Sequence, residues 1–248
     1  MNQESLFPTI DVENKHTLFI IGNGFDIAHR LKTQYCDFEE WLRQQGNDHL
    51  VRMIETFFSN YRDFWGDIEK ALGEYDEEEI VDWCSPDEGI DYEHPTRSVA
   101  AIEDGPDWLF KPILDEFLEA FNQWVESIDI NEAIVMFSLP AESHYLTFNY
   151  TETLEKLYGI PQENILHIHG SRLKHDDYII GHNQKRDPND AYEDETELLF
   201  KQDTWSKVIA WMNELVKDTN GIIKHNQAFF NSLGDITKVV VIGHSFYP

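Results

Sequence analysis

The chain has 248 residues, 41% of them hydrophobic, which is enough to bury the core of one large domain. Its 19 basic residues face 47 acidic ones, and the formal net charge of −28 argues against nucleic-acid polymers and anionic membranes as partners. The two distant cysteines, Cys36 and Cys84, fit a reducing compartment, and no segment is typical of a signal peptide or membrane span. We therefore expect a cytoplasmic protein with free thiols.

The first predicted element is a buried strand. Residues 1–16 are interpreted as a flexible tail, and the apolar run Thr17–Ile21 (TLFII) stops at Gly-Asn-Gly, as a strand does before a tight turn and a helix. Apolar residues three to four apart predict helices across Tyr35–Leu42 and Leu50–Tyr61.

The middle of the chain changes in composition. Asp67–Asp107 is acidic and interrupted by proline and glycine, which indicates an insertion. After it, the apolar periodicity from Phe110 to Ile128 predicts one long helix, with Pro112 tolerated in the first turn.

The second half returns to strand-like runs. Strands are predicted at His144–Asn149, Ile165–His169, Tyr178–Gly181 and Lys238–Gly243, helices at Thr151–Tyr158 and within Trp205–Leu233, and a solvated acidic loop at Asp187–Asp203. Alternating strands and helices predict an α/β fold with a doubly wound, mostly parallel, Rossmann-like sheet. We expect a single domain over residues 17–248, with a helical, acidic insertion at about 33–130 between the first and second strands.

The segment IIGNGFD, residues 20–26, could bind a nucleotide. Gly22 and Gly24 follow a strand and precede a helix, so they allow a tight turn and a close approach to a pyrophosphate. Ile27 stands where a third glycine would complete the dinucleotide fingerprint, which argues against a Rossmann dehydrogenase. The alternative is an ordinary turn in which Asn23 or Asp26 caps the helix.

Polar residues also follow two later strands. Asn149 ends the predicted strand of LTFNYT, where its side-chain amide could hydrogen-bond ribose hydroxyls or a water molecule. The alternative is that Asn149 caps the next helix. In ILHIHG we expect His167 and His169 on one sheet face, with His169 at the strand terminus as the better catalytic candidate and His167 as a core histidine bonded to the backbone. His29 and His182 are weaker pocket candidates.

Four blocks of the sequence, taken in order, resemble the bacteriophage abortive-infection AbiH family. They are IIGNGFDIAHRLKTQY, LTFNYTETLEKLY, HIHG and VIGHSFYP. The family pattern continues beyond the last block, so the resemblance implies a chain truncated at its C-terminus. AbiH proteins are in turn similar to sirtuin-like domains of antiphage systems that consume NAD.

The resemblance implies roles for particular residues. The nucleotide would be NAD, and no metal is expected. Asn149 and His169 would be catalytic, while the nucleotide would be lined by Gly22, Asn23, Gly24, Phe25, Asp26, Gly170, Gly243, His244 and Ser245. Two residues depart from the sirtuin-like pattern. Asn23 replaces the usual small residue of the glycine loop, and Thr151 stands where the related domains often have an aspartate.

The function that the resemblance implies is antiphage defence by a protein that binds NAD or a related nucleotide and hydrolyses the nicotinamide–ribose bond. Two alternatives stay open: a catalytically silent nucleotide-sensing module, and a metal-dependent nuclease or phosphohydrolase that uses His167, His169 and His182. An acidic protein that mimics nucleic acid ranks last, because it needs no glycine turn. Two kinds of partner are considered: further copies of this chain in a homo-oligomer, and a phage protein that triggers the response.

Overall fold

A computed structural model describes residues 16–84, 103–136, 138–174, 176–189 and 198–245. Within these ranges the chain forms two compact units. The first unit comprises residues 16–37, 123–179 and 218–245, and the second comprises the described parts of 38–122 and 180–217. Part of the predicted insertion at about 33–130 lies in the second unit.

The first unit is built on a parallel sheet. Its strands are β1 (Thr17–Ile21), β2 (His144–Thr147), β3 (Ile165–His167) and β4 (Lys238–Ile242), and they lie in the order β3-β2-β1-β4. All three pairings are parallel. The α/β class and the parallel sheet, compatible with a Rossmann-like doubly wound fold, are thereby confirmed.

The register aligns the carboxyl ends of the four strands. Ile21 pairs with Thr147 on one side and with Ile242 on the other, and Thr147 pairs with His167. The last residues of all four strands therefore form one row, and the residues after each strand gather at one edge of the sheet.

The helices of the described residues belong to both units. In chain order they are α1 (Asn23–Ala28), α2 (Tyr35–Gln44), α3 (Asp48–Phe57), α4 (Ile68–Gly73), α5 (Glu77–Cys84), α6 (Lys111–Ser127), α7 (Thr153–Tyr158), α8 (Leu198–Glu214), α9 (Thr219–His225) and α10 (Gln227–Ser232). Among the described residues, no helix has the length and apolarity needed to cross a membrane.

Side chains of the sheet alternate between two apolar faces. One face joins Phe19, Ile21, Tyr145 and Ile165 to residues such as Phe25 of α1. The other joins Leu18, Leu146 and Leu166 to partly buried residues that include Phe148, Ile168 and Phe229. Both faces are thus packed along β1, β2 and β3, as expected for a parallel sheet, whereas Val239 and Val241 of the edge strand β4 are exposed.

The second unit has an aromatic core. Phe38 of α2 lies 5.6 Å, between ring centroids, from both Phe117 and Phe121 of α6. The long helix predicted over 110–128 is confirmed as α6, with Pro112 in its first turn after one π-helical turn at Pro106–Phe110. Proline is accepted there because the first N–H groups of a helix have no carbonyl partner.

Three predicted strands are slightly shorter than expected, and one is wrong. Residues Tyr178–Gly181 form no strand. A Cβ atom on Gly181 would lie 1.9 Å from the carbonyl oxygen of Leu215. The neighbouring His182 instead makes an isolated parallel bridge at Val216, with its N–H donating to Leu215 over 3.0 Å. The apolar run therefore meets the chain that follows α8 and adds no strand to the sheet.

The predicted acidic loop is also partly wrong. Residues 198–203 belong to α8, while residues 190–197 lie outside the described part of the chain. Residues 85–102 of the predicted acidic insertion lie outside it as well. Both cysteines are free thiols, as predicted.

Candidate functional site

The glycine loop after β1 packs directly against the end of β4. The N–H of Gly22 donates to Ile242 over 3.0 Å, and the N–H of Gly24 donates to the carbonyl of Gly243 over 2.9 Å. A Cβ atom would lie 2.6 Å from the Gly243 oxygen if built on Gly22, and 2.8 Å from Gly243 Cα if built on Gly24. The two glycines are thus required by the close approach of two chain segments.

The other residues of this loop divide between surface and core. The Asn23 amide donates to the carbonyl of Thr33 over 2.7 Å and holds the far end of the turn. The Phe25 side chain is buried in the core, with its ring centroid 4.3 Å from that of His29. Asp26 is buried too, although its side chain is ionisable.

Polar residues meet beside Asp26 at the carboxyl end of the sheet, and we call them the carboxyl-end cluster: Asp26, Asn149, Thr151, Thr153, Glu155 and His167. Oδ2 of Asp26 accepts a hydrogen bond from the Thr151 hydroxyl, whose oxygen lies 3.0 Å from that of Thr153. The cluster joins the ends of β1, β2 and β3 to the first turns of α1 and α7.

Burial dominates the electrostatics of Asp26. It raises the pKa of the carboxyl from 3.8 to about 6, while hydrogen bonds from Thr151, Thr153 and Asn149 and the charge of His167 lower the pKa and offset part of this effect. A carboxyl group with such a pKa changes its charge close to neutral pH, which is common at catalytic sites.

Three oxygens of the cluster lack hydrogen-bond donors in the described part of the chain: Oε2 of Glu155, and one oxygen each of Asp26 and Asn149. Within the described residues, no group donates to Oδ1 of Asp26 or to Oδ1 of Asn149, and both atoms are buried. Asp26 is 1% exposed and Asn149 is 6% exposed. Because an unpaired buried acceptor costs free energy, these atoms mark a place where a ligand with donor groups would be favoured.

His167 lies in the cluster, with both ring nitrogens engaged. Nδ1 lies 2.8 Å from the main-chain oxygen of Asn149, and Nε2 lies 2.9 Å from Oε1 of Glu155. The prediction of a buried histidine bonded to the backbone is confirmed. The contact with Glu155 was not foreseen.

His169 has different neighbours. β3 ends at His167, so the prediction that His169 is at the strand terminus is wrong. The chain turns there because Gly170 adopts a left-handed φ of 96°. The ring of His169 is 5.2 Å from that of Phe148 and 6.5 Å from that of Tyr150, between centroids.

The last predicted residues are at the end of β4. Gly243 has a φ of 68°, and the ring of His244 lies 4.5 Å from that of Phe148. Burial lowers the pKa of His244. Ser245 is exposed. The structure thus groups His169 and His244 around Phe148, and Asn149 with Asp26 and His167.

A buried ion pair that the sequence analysis missed supports the start of α7. Nε of Arg172 donates to Glu152 over 2.8 Å, and its Nη1 donates to the carbonyls of Val125 and Ile128 at the end of α6. Burial raises the pKa of Glu152, but hydrogen bonds from Arg172 and Lys156 outweigh it and lower the pKa to about 2. The only signal in the sequence was the pair of glutamates in TETLE, three residues apart.

The geometry gives little support to a metal centre. Among the described residues, no group of three or more histidine, cysteine, aspartate or glutamate side chains is placed to hold a metal ion. His182 belongs to the second unit, where its Nε2 donates to the Met212 carbonyl over 3.0 Å. His29 is fully buried, and its Nδ1 donates to the Phe25 carbonyl over 2.6 Å.

Comparison with known proteins assigns the family. No curated protein and no solved structure matches the chain. A family model described as "Bacteriophage abortive infection AbiH" matches residues 18–248. This range includes the glycine loop, every residue of the carboxyl-end cluster and the end of β4. The chain therefore belongs to the bacteriophage abortive infection AbiH family.

Proposed function

We propose that the protein binds NAD or a related nucleotide at the carboxyl-end cluster and hydrolyses the bond between nicotinamide and ribose. Membership of the AbiH family supports a role in phage defence by abortive infection. Loss of NAD from an infected cell would stop phage growth at the expense of the host.

The observation that carries the proposal is the pair of donorless oxygens, Asp26 Oδ1 and Asn149 Oδ1. The two side chains are neighbours, since a hydrogen bond from Asn149 contributes to the pKa of Asp26. A carboxylate and an amide oxygen accept hydrogen bonds, and the hydroxyls of a ribose donate them. Phosphate groups fit this spot poorly, because they lack donors at neutral pH and the Asp26 carboxylate repels them.

In the proposed reaction the bond between C1′ of the ribose and the ring nitrogen breaks. The electron pair goes to the pyridinium nitrogen, so neutral nicotinamide departs while positive charge develops on the ribose. Water then adds to C1′ and releases one proton. Asp26, ionised above about pH 6, would stabilise the positive charge, and Asn149 would orient the ribose. His169 is the proposed acceptor of the proton.

The first test is turnover by the purified protein. We would incubate it with NAD and separately with ATP, with and without EDTA, and follow nicotinamide and ADP-ribose by chromatography. The proposal predicts nicotinamide release from NAD that EDTA does not affect. Absence of release from NAD would overturn the proposed hydrolysis.

The residue test is Asn149→Ala. Loss of the amide removes the proposed orientation of the ribose, and we expect the rate of nicotinamide release to fall by about 100-fold or more. Asn231→Ala, at an exposed position in α10, is the matched control and should keep the full rate. Circular dichroism would check that both variants are folded, and an unchanged rate in Asn149→Ala would remove this residue from the mechanism.

One observation favours a second function, a nucleotide-sensing module without catalysis. The Gly24 amide is bonded to Gly243, and Asp26 and Asn149 are almost completely buried, which restricts access to the cluster. Calorimetric binding of NAD with one ligand per chain, without nicotinamide release, would establish this alternative.

A further inference from the structure

Asn149 is held in place by side chains. β2 ends at Thr147, so Asn149 lies two residues beyond the strand. Its main-chain N–H donates to the hydroxyl of Thr147 over 3.1 Å, and its main-chain oxygen lies 2.8 Å from Nδ1 of His167. The direction of its side chain therefore depends on these two contacts.

The two supporting residues are neighbours in the sheet. Thr147 and His167 are the last residues of β2 and β3, and they pair in register. Both are buried. A rigid pair of strand ends is thus placed where it fixes the peptide groups on either side of Asn149, which suits a residue that must be held to within a fraction of an ångström.

The contact between His167 and Asn149 requires a proton on Nδ1, because a carbonyl oxygen can only accept. On the other side of the ring, Nε2 lies 2.9 Å from Oε1 of Glu155, a hydrogen bond that needs a hydrogen between these two atoms. The side chain of His167 is 2% exposed and that of Glu155 is 11% exposed, so water competes little for either contact. Glu155 therefore holds the ring in the orientation that directs Nδ1 at Asn149.

We infer that His167 is a positioning residue for Asn149, and that Glu155 of α7 fixes the ring of His167 in this role. The inference rests on the proposed function, in which Asn149 orients the ribose. It also explains why a histidine is useful at this buried place: its compact ring has a nitrogen on each side, so one can donate to the Asn149 carbonyl while the other contacts a carboxylate. The charge of His167 lowers the pKa of Asp26 as well, so the same ring acts on both proposed functional groups.

The test compares His167→Leu with His167→Asn. Leucine has a similar size but no donor, whereas the amide of asparagine can place an N–H near the position of Nδ1. For His167→Leu we expect kcat for nicotinamide release to fall roughly 100-fold, with KM changed less than about threefold. For His167→Asn we expect kcat within about tenfold of the original value. His225→Leu, at an exposed site in α9, is the control.

A readout without substrate separates this inference from the proposed function. In the unliganded protein, nuclear magnetic resonance should show a slowly exchanging Nδ1–H of His167, and Glu155→Ala should accelerate its exchange. Exchange as fast as that of the exposed His49 would overturn the inference, whatever the activity. Full turnover by His167→Leu would overturn it while the hydrolysis proposal stands. If the unmodified protein releases no nicotinamide, the hydrolysis proposal fails and the exchange rate alone decides on His167.

Discussion

Asp26 combines burial with an ionisable group, and its position has a cost in stability. The pKa of Asp26 is about 6 in the folded protein, whereas an aspartate exposed to water, as in the unfolded chain, has a pKa of 3.8. The folded chain therefore holds the carboxyl proton of Asp26 more tightly than the unfolded chain. The free energy of unfolding therefore falls as pH rises from below 3.8 to above 6. The full effect is roughly 3 kcal/mol, and about half of it falls between pH 5 and pH 8.

Asp26→Asn removes this titration, and we expect the variant to gain stability relative to the unmodified protein as pH rises from 5 to 8. The relative gain should be on the order of 1–2 kcal/mol in the free energy of unfolding by urea. The exposed Asp176, changed to asparagine in the same way, should show no such gain. An identical pH dependence in Asp26→Asn and the unmodified protein would mean that Asp26 is not desolvated.

At the scale of residues, the sequence predicted individual positions better than their partners. Asp26 and Asn149 were singled out because they follow strands, and the structure brings them together. The pairing of His167 with Glu155 was not foreseen, because it depends on where β3 ends and how α7 starts. The neighbours of His169 depend on the same strand end, two residues earlier than predicted. Roles for all these residues in binding or catalysis stay predictions.

At the scale of elements, the glycine loop and the end of β4 fit together through their glycines. Gly243 has a φ of 68°, and a Cβ atom on it would lie 2.2 Å from the main-chain nitrogen of Phe25. A side chain there is penalised twice, once by the left-handed conformation and once by collision with the backbone of α1.

Gly243→Ala is therefore expected to lower the free energy of unfolding by more than about 2 kcal/mol. Gly159 provides the matched control, because its φ is 64° and a Cβ atom there would meet nothing within 4 Å. Gly159→Ala should lower the free energy of unfolding by only about 1 kcal/mol, which is the cost of the left-handed conformation for alanine. Urea unfolding of both variants would measure the difference, and equal losses would show that β4 does not approach the loop closely.

Elements with a strong pattern were predicted well. The run TLFII is β1 with the predicted bounds, and the periodicity after Phe110 is α6. The run Tyr178–Gly181 misled the prediction, since a short apolar segment can be buried without pairing in a sheet. What decided its structure was the close approach of Gly181 to Leu215, a contact between distant parts of the sequence.

At the scale of the whole molecule, alternation of strands and helices was sufficient to predict a parallel α/β sheet. The division of the chain into two units was harder to predict, because the second unit joins the described parts of residues 38–122 to those of residues 180–217. Such a return of the chain leaves no periodic signal. The order of the four motif blocks carried the family assignment, since each block is too short to be specific alone.

The net charge of −28 predicts how the molecule responds to salt. In the described part of the chain most ion pairs are partly exposed, such as Arg43 with Glu39, and contribute little, whereas repulsion among the 47 acidic residues acts over the entire chain. Raising NaCl from 10 to 300 mM at pH 7.5 screens this repulsion, and we expect Tm to rise by roughly 3–6 °C.

Thermal unfolding near pH 4.5, the pI of the sequence, is the internal control for this prediction. There the net charge vanishes, so the same addition of salt should change Tm by less than about 1 °C. A fall in Tm with salt at pH 7.5 would mean that attraction within the exposed ion pairs, which salt also screens, outweighs the general repulsion. The acidic surface would then be a smaller cost to the fold than its charge implies, and exposed pairs such as Arg43 with Glu39 would contribute more to stability than their exposure suggests.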